Sequence, residues 1–154
     1  MITKVARMGL LDSKVVLISG GTQGLGAGVA RAAAGQGARV MVAGRNAAAG
    51  GQVAAELRDN GAHAAFVEAD ISDPGQARAA VEATIGVYGR IDGLVNSAGL
   101  TTRGTLLDTT PELFDQHIAV NLRGPFFLMQ AAVADMVSRT APGTPARRAR
   151  RRPG

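Results

Sequence analysis

The sequence predicts an α/β fold in which a parallel sheet carries helices on both faces. Three observations lead there. Short aliphatic, β-branched runs alternate with Ala-rich segments of helical length. The connections are short, so each strand–helix–strand unit closes as a right-handed crossover. The first strand is a continuous apolar run, the pattern of a strand buried on both faces.

In chain order, Val15-Val16-Leu17-Ile18 reads as a strand stopped by Ser19-Gly20-Gly21. Residues 24–36 form a helix of small residues, suited to close packing, with Gly37 placed to end it. Arg39–Ala43 is a second strand closed by Gly44, and residues 47–59 a second helix ended by Asn60-Gly61. Ala64–Val67 is a third strand. Asp73-Pro74 pairs an N-cap with proline at the first helical position and opens a helix to about Tyr88. Ile91–Asn96 is a fourth strand. Thr110-Pro111-Glu112 repeats the start signal for one long helix, Pro111 to about Ser138.

Of 154 residues, 46% are hydrophobic and 19% charged, a globular composition that excludes wholesale disorder. The 21 glycines follow no three-residue repeat, which excludes collagen and points to tight turns. There is no cysteine, hence no disulfide and no thiolate site; this is compatible with the cytoplasm, where we expect the protein. No apolar run approaches the ~18 residues of a membrane span, and Met1–Asp12 has no signal-peptide pattern. The net charge of +5 is concentrated at one end. Residues 139–154 hold six arginines and no acid, leaving 11 basic against 12 acidic side chains before them. The expected organisation is an N-terminal extension over 1–12, a folded α/β domain over 13–138, and a disordered Arg/Pro-rich tail over 139–154.

Ser19-Gly20-Gly21-Thr22-Gln23-Gly24-Leu25-Gly26 lies between a predicted strand and a predicted helix. Glycines there let backbone approach a ligand, and the free N–H groups of the helix N-terminus attract phosphate. The spacing is Gly20-x-x-x-Gly24-x-Gly26 rather than G-x-G-x-x-G. It resembles the fingerprint of the short-chain dehydrogenase/reductase family, Thr-Gly-x-x-x-Gly-x-Gly with Ser in first place. Asp70-Ile71-Ser72-Asp73 resembles the family's acidic pair after the third strand, and Asn96-Ser97-Ala98-Gly99 its Asn-Asn-Ala-Gly motif after the fourth. Asn121, in Val120-Asn121-Leu122, matches the family's asparagine on the next helix. Taken singly these residues have plainer readings: Asp73 is a helix cap, Asn96 a strand-end residue satisfying backbone, and Asn121 a polar helix position. Four matches in order over about residues 11–138 carry the resemblance.

The resemblance implies a Rossmann-like doubly wound parallel sheet, cut off after four strands in the order 3-2-1-4. It also implies an NAD(P)-dependent oxidoreductase that transfers hydride between the nicotinamide cofactor and an alcohol or carbonyl substrate. Family cofactor contacts fall on Ser19, Gly20, Thr22, Gln23, Leu25, Gly26, Arg45, Asp70, Ile71, Asn96, Ala98, Gly99 and Val120. Of the catalytic set only Asn121 is matched. Where NAD-preferring members place an Asp that binds the ribose hydroxyls, this chain has Gly44 followed by Arg45; an arginine suits a 2′-phosphate, which favours NADP over NAD.

The family's chemistry uses a Tyr as general acid–base, a Lys four residues later and an upstream Ser. Here the single tyrosine, Tyr88, is followed four residues later by Asp92, and the only lysines are Lys4 and Lys14. Tyr88 matches a packing position instead. His63 and His117, 54 residues apart without clustered carboxylates, make no metal site. The Arg147–Arg152 run lacks interleaved aromatics, so no specific nucleic-acid recognition is expected.

Where a fifth strand would follow Ala141-Pro142-Gly143-Thr144, the sequence turns to Pro, Ala, Arg and Gly, which we read as a frameshift near residue 144; residues 1–7 resemble an upstream extension. The expected consequences are an unpaired fourth strand with Leu94 and Val95 partly uncovered, and a helix 111–138 that offers a homo-oligomer surface. The chain as written is expected not to turn over. Two alternatives stay open: a non-catalytic NADP(H)-binding module, and a subunit- or nucleic-acid-interaction module using the arginine tail.

Overall fold

The structure is a computed structural model that describes residues 9–140. Strands β1 (Val15–Ser19), β2 (Arg39–Gly44), β3 (Ala64–Glu68) and β4 (Gly93–Asn96) form one parallel sheet in the order β3-β2-β1-β4. Helices α1 (Gly24–Gly35), α2 (Ala47–Asp59), α3 (Pro74–Tyr88), α4 (Pro111–Ile118) and α5 (Gly124–Thr140) cover it.

Side-chain alternation along the central strands divides the core in two. Val16, Ile18, Val40 and Val42 face α1 and α2, where they meet Ala27, Ala30, Val53 and Leu57. Leu17 and Met41 face the other way, onto Ala77, Ala80 and Val81 of α3 and Leu128 and Ala132 of α5. The whole of β1 is buried, and a fully buried aliphatic such as Leu17 contributes about 1.5–3 kcal/mol. Alanine on the inner face of α1 keeps that helix close to the sheet. The helix starts are capped as the sequence indicates: Asp73 Oδ1 accepts from Gln76 N at 2.9 Å and Thr110 Oγ1 from Leu113 N at 3.3 Å.

Three features differ from the sequence expectation. The expected single helix 111–138 is interrupted by a π turn, Ala119–Arg123. Pro125 supplies a reason: it has no N–H to give the Asn121 carbonyl, and its ring presses on that carbonyl in α register. Strand β4 begins at Gly93 rather than Ile91, because the backbone of Ile91 is taken by α5. Its N–H donates to Asp135 Oδ2 (3.2 Å) and its carbonyl accepts from Arg139. Finally, α5 runs to Thr140, so Arg139 belongs to a helix rather than to the arginine tail. Its Nε donates to Asp135 Oδ2 at 2.9 Å and its Nη1 lies 3.7 Å from Asp92 Oδ1. The rest of the expected tail, and most of the expected N-terminal extension, lie outside the described residues. Within that extension Leu11 packs against the α1–α2 side of the core, and its N–H donates to Gln36 O.

Strand β4 pairs with β1 alone among the described residues, and Leu94 and Val95 are only half-buried. Asp92 anchors its entry: Oδ2 accepts from Val15 N at 3.0 Å, while Oδ1 meets Arg90 and Arg139. Burial pushes the Asp92 carboxyl up, but the hydrogen bonds from Arg90 and Val15 and the charges of Arg90 and Arg139 outweigh it and hold it below the usual value. A folded-state value below the unfolded one means that the contribution is complete above the unfolded value of about 3.9 and is lost as pH falls through the lower folded value. Asp92→Asn should therefore cost about 1–3 kcal/mol near neutral pH in urea unfolding. It should also flatten the acid limb of the stability curve; a variant as acid-sensitive as the parent would contradict this role.

Candidate functional site

The glycine loop is built by backbone approach. Gly20 leaves β1 at φ +71°, in the left-handed region, and a Cβ there would lie 2.4 Å from Ala98 N. One turn into α1, a Cβ on Gly26 would lie 2.2 Å from Gly20 O. The end of β1, the first turn of α1 and the exit of β4 are thus in direct backbone contact. Gln23 occupies the N-cap of α1 in extended conformation without a side-chain cap bond, so no side chain occupies the first-turn N–H groups from that position.

A cleft of about 830 Å³ opens at the carboxyl ends of the strands, the place where open parallel sheets bind ligands. Eleven of the sequence-derived residues line it: Gly20, Thr22, Gln23, Leu25, Gly26, Arg45, Asp70, Ile71, Ala98, Gly99 and Val120. Ser19 and Asn96 do not. Ser19 is fully buried, with Oγ 3.4 Å from Asn96 Oδ1 and 3.5 Å from Val95 O, and the pair ties β1 to β4 beneath the cleft. Gly24, Gly44, Asn46, Ala47, Ala69 and Ser97 complete the lining. Gly24 and Ser97 belong to the matched motifs themselves, Gly44 is the position before Arg45, and Asn46, Ala47 and Ala69 adjoin matched residues, which was the signal available for them.

Two charges of opposite sign sit in this lining. Arg45 is exposed and has no carboxylate within ion-pair distance among the described residues. Asp70 follows β3, where Oδ1 accepts from Ser72 N at 2.9 Å and Gln76 Oε1 accepts from Asp70 N at 2.9 Å, which holds the turn. A glycine loop with open N–H groups, a free guanidinium and a carboxylate across an 830 Å³ cleft fit a phosphate-bearing ligand with hydroxyl donors.

Asn121 lies in the π turn beside the cleft rather than in its lining. Its Oδ1 accepts from Leu100 N at 2.7 Å, and its Nδ2 donates to Leu100 O at 3.0 Å and lies 3.3 Å from His117 Nδ1. Both amide N–H groups are thereby used, and the side chain pins the segment after Gly99. His117 in turn sets its Nε2 2.8 Å from Thr102 O. Sequence spacing alone leaves His117 an isolated histidine; the i, i+4 relation to Asn121 was its one signal. Gly124 lets α5 approach the turn after β3, since a Cβ there would lie 2.4 Å from Ile71 O, and this close approach carries Val120 to the cleft. Tyr88 is remote from all of this. Its hydroxyl donates to Val40 O at 3.1 Å, and burial pushes its phenol pKa up against the opposing charges of Arg58 and Arg39. The described residues contain no group of three or more metal-ligating side chains.

The order β3-β2-β1-β4, with a glycine turn after β1 and a cleft at the strand ends, defines the nucleotide-binding half of a doubly wound α/β domain. The model of the short chain dehydrogenase family matches residues 14–144, and the chain belongs to that family of NAD(P)-using oxidoreductases. It is 40% identical over 125 residues to the short-chain dehydrogenase/reductase FrzI of Cladobotryum sp, covering 80% of this chain and 48% of that protein. It is 39% identical over 122 residues to D-threitol dehydrogenase of Mycolicibacterium smegmatis, covering 79% and 46%. Among solved structures, a dehydrogenase/reductase from Sinorhizobium meliloti superposes with TM-score 0.78 at 35% identity, over 81% of this chain and 50% of that one. A blue fluorescent protein from a metagenomic library, in complex with NADPH, does so with TM-score 0.77 at 35% identity, over 80% and 51%. The chain spans about half the length of the curated relatives it matches. No helix of the described residues is long and apolar enough to cross a membrane.

The contact between Gly26 and the Gly20 carbonyl leaves no space for a methyl group. Gly26→Ala should destabilise the domain by about 1–3 kcal/mol in urea unfolding, whereas Gly28→Ala, where a Cβ meets nothing within 4 Å, should be neutral or stabilising. Equal effects of the two substitutions would contradict the close-approach account.

Proposed function

We propose that the cleft binds a nicotinamide dinucleotide, NADP(H) in preference to NAD(H). The glycine loop and α1 N-terminus would receive the pyrophosphate, Arg45 the 2′-phosphate, and Asp70 with Ile71 the adenine end. The observation that carries this reading is Arg45 at the end of β2, which meets no carboxylate among the described residues and follows Gly44, where an NAD-preferring site needs a carboxylate. The NADPH complex of the metagenomic relative supports it. Ser19 and Asn96 act in this reading as supports of the cleft floor, and Asn121 as the remaining member of the catalytic set. Together they hold the loop that carries Ala98 and Gly99.

The reaction we assign to the family site is hydride transfer between the nicotinamide and an alcohol or carbonyl substrate. The 154 residues contain no Tyr-x-x-x-Lys, and Tyr88 is committed to Val40. We therefore propose that this chain binds the dinucleotide without turning it over, and we read it as cytoplasmic. In fluorescence titrations NADPH should bind more tightly than NADH, and Arg45→Ala should narrow that difference roughly tenfold, the scale of one charge-assisted hydrogen bond. Equal affinity for both dinucleotides in the parent chain would overturn the NADP assignment, and steady hydride transfer by pure protein would overturn the absence of turnover.

A second surface supports self-association. Phe114, Ile118, Leu122, Phe126, Met129, Val133 and Val137 recur at three- and four-residue intervals along α4, the π turn and α5, and each is at least 40% exposed. We propose that this face joins two copies of the chain. Sedimentation velocity should show a dimer or larger species that Phe126→Glu with Val133→Glu converts to monomer. A parent chain that sediments as a monomer at tens of micromolar would contradict it.

A further inference from the structure

We propose that Thr22 and Gly44 are a coupled pair that sets dinucleotide specificity: the Thr22 methyl bars any side chain from position 44 and so keeps a ribose-binding carboxylate out of the cleft. The inference rests on the cofactor-binding reading above and names a determinant within it.

Gly44 closes β2 and lines the cleft opposite Thr22 of the glycine loop. Its φ lies outside the left-handed region, which among the described glycines is populated at residues 20, 24, 37, 61 and 89. Backbone conformation therefore does not demand glycine there, and the constraint is spatial. A Cβ on residue 44 would lie 2.6 Å from Thr22 Cγ2, well inside van der Waals contact, while Thr22 Oγ1 and Cβ would stand at ordinary distances of 3.6 and 3.7 Å. These are the nearest atoms, so a single methyl group closes the position. Threonine is stiff at χ1. Relief would require turning Thr22 to another rotamer, which moves its methyl or hydroxyl within the cleft that both residues line.

The consequence is chemical. A carboxylate at the end of the second strand accepts hydrogen bonds from the ribose hydroxyls and repels a 2′-phosphate. With position 44 closed, the first side chain beyond the strand is Arg45, whose charge no described carboxylate neutralises. Preference for the phosphorylated dinucleotide then depends on exclusion by Thr22 as well as on attraction by Arg45. A change at residue 44 alone cannot reverse it.

The steric part is tested by thermal melts of the parent, Thr22→Ser, Gly44→Ala and the double variant. Thr22→Ser keeps the hydroxyl and deletes only the offending methyl. Gly44→Ala should lower the melting temperature by about 2–4 °C in the parent. In the Thr22→Ser background it should raise it, because alanine in a permitted conformation reduces the entropy of the unfolded chain. The same shift in both backgrounds would overturn the coupling. The specificity part is tested by titrating NADPH and NADH into Gly44→Asp with and without Thr22→Ser. The double variant should bind NADH at least tenfold more tightly than the parent, and Gly44→Asp alone should show no such gain. An equal gain in both would refute the inference and leave the cofactor reading intact. A parent chain that binds neither dinucleotide would instead refute that reading, and the specificity role with it, while the melts still decide whether the two residues collide.

Discussion

Three backbone segments meet at the carboxyl end of β1 without space for a side-chain carbon between them. Gly20 turns there in the left-handed region, its carbonyl lies against Gly26 of α1, and its α-carbon lies against Ser97 and Ala98 at the exit of β4. Because β1 sits inside the sheet between β2 and β4, this one junction sets how the first helix and the fourth strand leave the sheet, and the cleft opens above it. Glycine loses more conformational entropy on folding than other residues. The two apolar faces of β1 and β2 offset that cost, and their alternating residues anchor α1 and α2 on one side and α3 and α5 on the other.

The far wall of the cleft is held differently, by polar contacts from the helical segment that follows. Asn121 grips both backbone groups of Leu100, His117 braces Asn121 and Thr102, and Gly124 admits the Ile71 carbonyl. At the other end of α5, Asp135 and Arg139 occupy the backbone of Ile91 and lead β4 into the sheet. One helical segment thus serves both ends of β4. Its inner face is core and its outer face is a row of exposed apolar side chains, so the element that completes the cleft is also the one with apolar surface left over.

Strands, caps and the glycine loop were legible in the sequence because local chemistry decides them: a β-branched run before Ser19-Gly20-Gly21, Asp73 before Pro74, Thr110 before Pro111. The sheet order followed from the family resemblance, and the structure has that order. What the sequence did not disclose depends on partners far along the chain. Ile91 reads as strand by composition, yet its backbone groups are bound by side chains 44 and 48 residues away. Arg139 reads as the first residue of a basic tail by charge count, yet it ends a helix. The π turn had a local signal in Gly124-Pro125, but a proline in the middle of an expected helix predicts disturbance without telling where the extra residue is absorbed. Thr22 and Gly44 were both visible as positions; that one closes the other requires the distance between them.

We propose the cleft above the Gly20 junction as a dinucleotide site. Amide chemical-shift mapping of the ¹⁵N-labelled chain with added NADPH tests it most directly, because it locates the ligand whether or not chemistry follows. Saturable shifts should concentrate at Gly24–Gly26, Arg45, Asp70–Ile71 and Ala98–Gly99, with the amides of α2 beyond Asn46–Ala47 and of the Ala64 end of β3 unmoved. No shifts at millimolar NADPH, or shifts gathered on a face away from the glycine loop, would contradict it.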